Sequence, residues 1–156
     1  MIRLACFAVL SASLASSALA LSCVPPDAAR LYDMAQKDKA PFYIVRGDIQ
    51  LLEPPAKIAP GEIGRTKARM TGKALSKSGF NANFDRELTI ETSCLASWCG
   101  SAEGLTGPHI AALQLIGDAL TLSIGPCGGD QVRWDQAGED RLLLCHRAGG
   151  CEQVAK

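Results

Sequence analysis

The sequence has no excess of charge of either sign, and it is poor in aromatic residues and in histidine. Sixteen lysine and arginine residues balance sixteen aspartate and glutamate residues among 156, only 5% of the residues are aromatic, and there are two histidines. Nucleic-acid binding depends on an excess of basic side chains that neutralise phosphates, so this balance argues against a nucleic-acid partner. The length and composition fit one globular domain.

The motifs of the common catalytic centres are also missing. There is no Gly-x-Ser-x-Gly elbow, no glycine-rich phosphate loop and no His-Glu-x-x-His, so acyl transfer, phosphoryl transfer and metalloprotease chemistry lack their recognisable parts. His109 and His146 stand singly in the chain, outside any zinc-ligand spacing. We therefore expect neither a metal ion nor a cofactor.

One long apolar segment is present, at residues 4–19. It follows Arg3, contains no acidic residue and ends in Ala18-Leu19-Ala20, whose small residues occupy the two positions that signal peptidase inspects. We expect residues 1–20 to be a signal peptide and residues 21–156 to form one exported domain, periplasmic or secreted. The segment is short and no basic cluster follows it, so we expect no stable membrane insertion after cleavage.

Cysteine is abundant, and its number becomes even on export. Removal of the signal peptide removes Cys6 and leaves six cysteines: Cys23, Cys94, Cys99, Cys127, Cys145 and Cys151. An even set in an oxidising compartment predicts three disulfides. The spacing favours local pairs within 94–99 and 145–151, which leaves Cys23 for Cys127, although six cysteines permit about fifteen connectivities. Lipid attachment at Cys23 is a further alternative.

The chain predicts one short helix followed by strands. Asp27 is a good N-cap, the apolar residues after it follow a helical period, and Pro41 lies beyond the end. Five stretches alternate or are continuously apolar as strands do: residues 42–52, 63–71, 86–93, 110–116 and 120–124. Gly47 interrupts the first and predicts a bulge or bend. Residues 76–83 are predicted to be a polar loop, and the tail from about residue 130 is predicted to be irregular.

These elements predict a mainly β fold, a five-stranded OB-like barrel with a short N-terminal helix and disulfide staples. On its second strand Arg65, Lys67 and Arg69 share one face and are candidates to contact an anionic ligand. Alternatively, the three side chains form a solvated row with no ligand, balanced by Glu87 and Glu91 on the third strand. Such cross-strand pairs each contribute a few tenths of a kcal/mol to stability.

Several of these segments resemble the netrin-like domain, the OB-fold module shared with tissue inhibitors of metalloproteinases. The resemblance spans about residues 23–129 and is carried by Cys23 with Pro25-Pro26, by Tyr43-Ile44-Val45-Arg46-Gly47-Asp48-Ile49, by the loop of Cys94 and Cys99 followed by Gly104 and Gly107, by the apolar strand 110–116, and by Leu122-Ser123-Ile124-Gly125-Pro126-Cys127. It implies an OB barrel, a binding function, and a bond from the N-terminal cysteine to the loop of Cys94 and Cys99. The inhibitors chelate zinc through a chain that begins with cysteine. Here Leu21-Ser22 would precede Cys23 and block that mechanism.

Two functions follow as hypotheses. The first is an exported, disulfide-stapled, non-catalytic binding module for an unknown protein or small ligand, in the manner of a protease inhibitor. The second is a small periplasmic enzyme in which a free cysteine acts with His109 or His146, and Asp118 or Asp130 orients the imidazole. The number of free thiols separates the two.

Overall fold

The computed structural model describes residues 23–153, so the predicted signal peptide and its cleavage site lie outside the described residues. The helices are α1 (Ala28–Lys37) and α2 (Gln136–Ala148), and a 3-10 helix follows at Cys151–Gln153. The strands are β1 (Phe42–Leu51), β2 (Ile63–Ser76), β3 (Gly79–Leu95), β4 (Trp98–Cys99), β5 (Gly107–Ile116), β6 (Ala119–Gly125), β7 (Gly128–Gly129) and β8 (Gln131–Arg133).

The five long strands close into a hydrogen-bonded ring. β1 pairs with β2 and with β5, β2 pairs with β3, and β5 pairs with β6, all antiparallel, while β3 and β6 pair in parallel and complete the ring. The short strands β4, β7 and β8 extend its margins. The prediction of a mainly β, OB-like fold with a short N-terminal helix is confirmed, and Asp27 caps α1 by accepting from the amides of Ala29 and Arg30.

The predictions for residues 76–83 and for the tail are wrong. Residues 76–83 are not a polar loop, because β2 and β3 continue almost to the tip of their hairpin and Phe80 packs against buried residues. The tail is not irregular, since Asp135 caps α2 and Gly149 ends it in a left-handed conformation. Apolar periodicity in the sequence does not indicate this helix, because its buried side includes Gly138 and Glu139.

Gly47 has a different role from the predicted bulge. It pairs with Gly72 in an unbroken register between β1 and β2. A Cβ atom on Gly47 would lie 2.0 Å from the carbonyl oxygen of Thr71, and one on Gly72 would lie 2.1 Å from that of Arg46. The two glycines therefore allow a close approach of the backbones, and the register shift of β2 against β3 lies further on, between Ala74 and Leu75.

Apolar side chains form two separate cores. One fills the ring and includes Met70, Ile90 and Leu113, which are fully buried. The other lies between the outside of the ring and the two helices, with Ile110 and Leu142 at its centre. Within residues 23–153, neither helix has the length and apolar character needed to span a membrane.

All six described cysteines are in disulfides, in the pairing that the spacing favoured. Cys94 bonds to Cys99, Cys145 to Cys151, and Cys23 to Cys127. The bond from Cys23 to the loop of Cys94 and Cys99, which the netrin-like resemblance implied, is not the one formed. Three disulfides fit an oxidising compartment.

Candidate functional site

The predicted basic row lies on the outer face of β2, exposed to solvent, and pairs across to β3. Arg65 Nε donates to Glu91 Oε1 at 2.8 Å, and Lys67 Nζ donates to the hydroxyl oxygen of Thr89 at 3.2 Å. Arg69 donates two hydrogen bonds to the carboxylate of Asp85, at 2.7 and 3.0 Å.

All three cations of the row bond to side chains of β3, whereas the sequence predicted only a balance with Glu87 and Glu91. Hydrogen bonding from the Arg69 guanidinium lowers the pKa of the Asp85 carboxyl. The predicted partner Glu91 is confirmed, whereas the guanidinium of Arg69 bonds to Asp85 and not to Glu87, the residue opposite it in the register. Each cation of the row thus has a hydrogen-bond partner within the chain.

Neutralising the row tests its structural weight. The triple variant Arg65→Gln, Lys67→Gln and Arg69→Gln is expected to leave the melting temperature almost unchanged, because exposed ion pairs are screened and their side chains lose entropy on pairing. Thermal unfolding followed by circular dichroism measures this. A fall as large as that from losing a buried ion pair would show that the row is essential to the fold.

The described cysteines offer no thiol for the enzyme hypothesis, because all of them are bonded; Cys6 lies outside the described residues. His146 is held on both sides: Nε2 donates to the carbonyl oxygen of Ser76 at 2.9 Å, and the Tyr32 hydroxyl donates to Nδ1 at 3.2 Å. Burial raises the pKa of Tyr32. This imidazole therefore connects α1, α2 and the end of β2, and its orientation does not come from Asp118 or Asp130.

The other histidine, His109, is almost fully buried, at 3% exposure, and lines a cleft of about 410 Å³. Its Nδ1 lies 2.9 Å from the carbonyl oxygen of Gly107. Since a carbonyl only accepts, Nδ1 carries the proton, and Nε2 of the neutral ring has a free lone pair. Nε2 has no hydrogen-bond partner among the described residues. It is not fully buried, so it is open to the cleft.

An arginine lies beside this imidazole. β5 and β8 pair so that His109 is directly opposite Arg133, which places both side chains on one side of the sheet. Arg133 is exposed, lines the same cleft, and forms no ion pair or side-chain hydrogen bond with a described residue. The cleft therefore presents an unpaired guanidinium next to an unpaired imidazole nitrogen.

The remaining walls of the cleft are apolar or backbone, with one acid. Leu105, Ile124 and Val132 supply apolar surface. The disulfide-bonded Cys99 and further glycine, proline and polar residues complete the wall: Pro26, Gly100, Ser101, Gly104, Gly125, Pro126, Gly128 and Gln131. Glu103 adds a carboxylate that makes no ion pair with a described residue. The arrangement suits a small molecule with an anionic head and an apolar body.

A larger cleft, of about 580 Å³, lies beside the Cys23–Cys127 bond. Asp130 lines it, and burial, with repulsion from Asp38, raises the pKa of the Asp130 carboxyl. We place the candidate site in the smaller cleft because only there does a buried side chain present an unpaired polar atom. No group of three or more metal-ligating side chains occurs within residues 23–153.

The sequence indicated only part of this site. His109 was a candidate, but as the partner of a thiol, and Arg133 lay in the unassigned tail. The signal that joins them is the pairing of β5 with β8, which no local pattern contains. Comparison with known proteins adds no assignment: no family matches the chain, and no curated protein or solved structure is similar enough to indicate a relative.

Proposed function

We propose that this chain is an exported, disulfide-stapled, non-catalytic binding module that holds the carboxylate of a small organic acid in the cleft of His109 and Arg133. The observation that carries the proposal is that one cleft contains an unpaired guanidinium and the unpaired Nε2 of a buried imidazole, on residues directly opposite each other in the pairing of β5 with β8. Arginine matches a carboxylate with two parallel hydrogen bonds. The three disulfides support a periplasmic or secreted location for the module.

The two side chains contact different groups of such a ligand. Nδ1 of His109 donates to Gly107, so Nε2 is a hydrogen-bond acceptor and receives a donor group of the ligand. The carboxylate binds Arg133, and Glu103 lies in the same cleft.

Benzoate is the probe for a simple acid, and phenylalanine is the probe for a zwitterion with the same apolar ring. Titration of either into the oxidised protein is expected to shift the NMR signals of the His109 imidazole. Arg133→Gln is expected to weaken benzoate binding at least about tenfold, since hydrogen bonds to charged groups contribute about 1.5 to 3 kcal/mol. Arg147→Gln, which removes an exposed arginine at the end of α2, is the matched control.

Glu103 separates the two probes. Its carboxylate repels a simple acid and attracts the ammonium group of an amino acid, so Glu103→Gln is expected to strengthen benzoate binding and to weaken phenylalanine binding. Unchanged His109 signals with both probes would refute the proposal. Equal binding by the Arg133→Gln and Arg147→Gln variants would do the same.

A further inference from the structure

The outer face of β2 and β3 ends in three exposed apolar side chains. Ile63 is 58% exposed, Leu95 58% and Trp98 53%. Leu95 and Trp98 are directly opposite each other in the pairing of β3 with β4, so they lie on one face. Ile63 is opposite Ser93, two residues before Leu95, and therefore belongs to the same face. We call these three residues the apolar end.

The tip that carries the apolar end is rigid. The disulfide between Cys94 and Cys99 closes the β3–β4 hairpin directly behind Leu95 and Trp98. Ala96, in the turn, has a positive φ of 53°, which is unusual for a residue other than glycine. A backbone held this way loses little entropy on binding, and an exposed tryptophan on a fixed hairpin is typical of residues that dominate interfaces.

Beyond the apolar end the same face has two columns of opposite charge. The β2 column is basic: Arg65, Lys67, Arg69 and Lys73. The β3 column carries Glu91, Glu87 and Asp85. All of these side chains lie at the surface, at least partly exposed. The face is thus divided lengthwise into a positive half and a negative half, with an apolar patch at one end.

This arrangement is complementary to itself. A two-fold axis that runs parallel to the strands, between the columns, would place the β2 column of one copy over the β3 column of another. Arg65 would then face Glu91 of the second copy, and Arg69 would face Glu87 of the second copy. The same axis keeps each residue at its height along the strands, so the two apolar ends would meet. Such an isologous contact is the commonest kind in homodimers.

We propose that this face binds a second copy of the chain, with the apolar ends in contact and the charge columns crossed. The ion pairs within each copy do not oppose this, because they are exposed and weak, and their oxygens accept additional donors from the second copy. A face of two strands is small, so the dimer is expected to be weak and in exchange with the monomer. The inference does not rest on the carboxylate cleft, although Cys99 of the β3–β4 hairpin also lines that cleft.

Sedimentation of the oxidised protein over a range of concentrations tests the dimer. We expect mostly monomer at about 1 µM and mostly dimer at about 500 µM, in keeping with a contact at the small end of protein interfaces. Trp98→Ser is expected to leave only monomer at both concentrations. Leu144→Ser, which replaces another exposed apolar side chain (46% exposed) on α2, is the control and is expected to dimerise as before.

Charge exchange tests the crossed columns. Variant A is Arg65→Glu with Arg69→Glu, and variant B is Glu87→Lys with Glu91→Lys. In the proposed dimer each variant repels itself, because residues 65 and 69 of one copy then carry the same charge sign as the residues 91 and 87 that they face on the other, but A and B attract each other at these positions. We expect monomers for A alone and for B alone, and an A–B heterodimer in the mixture, weakened by salt. Circular dichroism verifies that both variants are folded.

Each outcome decides the matter. Monomeric wild type at the highest concentration overturns the proposal, and so does a dimer that persists in Trp98→Ser. Dimers of A alone or of B alone, or folded variants that fail to form the A–B heterodimer, overturn the crossed arrangement of the columns. Recovery of the dimer only in the mixture supports it, since the exchanged β2 column of A then lies over the exchanged β3 column of B, with opposite charges at the facing positions.

Discussion

Replacing Cys23 and Cys127 together with alanine is expected to lower the free energy of unfolding by about 4 to 5 kcal/mol, the largest loss that any of the three disulfides gives. The two residues are 104 apart in sequence, and the entropy that a bridge removes from the unfolded chain grows with the length of the loop it closes. Both side chains are exposed, so the substitution itself removes little packing. Unfolding in urea measures the loss.

The Cys94–Cys99 bond provides the matched control, because it closes a loop of only a few residues and neither side chain is fully buried. Its removal by two alanines is expected to cost about 2 kcal/mol in the same loop-closure account. Equal losses for the two double variants would contradict that account. A larger loss for the short loop would show that the bond at the hairpin tip stabilises the native state directly.

The sequence indicates both the disulfide pairing and the positions of the strands through local features. Cys94 with Cys99 and Cys145 with Cys151 lie close enough in the chain to pair locally, and these two pairs leave Cys23 for Cys127. The strands were visible because burial on one face leaves an alternating pattern, as in β2, where inward Thr66, Ala68 and Met70 are buried and the residues between them are exposed. Such patterns arise within one element, and sequence reasoning reads them well.

Features that depend on two distant elements were missed. The buried side of α2 contains a glycine and a glutamate. Glu139 is tolerated there because it forms an ion pair with Arg46 of β1, which no pattern within the helix indicates. The cleft likewise depends on the pairing of β5 with β8, which brings His109 and Arg133 together. A basic row that alternates along one strand is visible in the sequence, whereas two unpaired groups that meet across a sheet are not.

The buried glutamate leads to the second large effect. Arg46 Nη1 donates to both carboxylate oxygens of Glu139, at 2.8 and 2.9 Å, and Trp134 Nε1 donates to Oε2 at 2.5 Å. The Glu139 side chain is 7% exposed and that of Arg46 is 34% exposed. The guanidinium also lies 5.7 Å from the centre of the Phe80 ring. This cluster connects β1 and the tip of the β2–β3 hairpin to α2.

Arg46→Met is expected to lower the free energy of unfolding by about 3 kcal/mol, because it leaves a buried carboxylate whose charge has lost its partner. Methionine retains the packing against Phe80, so the loss reports the charge and its hydrogen bonds. The value belongs at the lower end of the range for buried pairs, since a third of the arginine side chain is in contact with water. Urea unfolding of both proteins at the same pH gives the difference.

A second substitution identifies the cause of that loss. Glu139→Gln on the Arg46→Met background removes the stranded charge and keeps an amide oxygen that accepts from Trp134, so the double variant is expected to recover most of the stability. Arg141→Met breaks the exposed pair with Asp27 and is expected to cost less than about 1 kcal/mol. If the double variant were no more stable than Arg46→Met, the loss would come from packing around β1, and the buried ion pair would not be what anchors α2 to the ring.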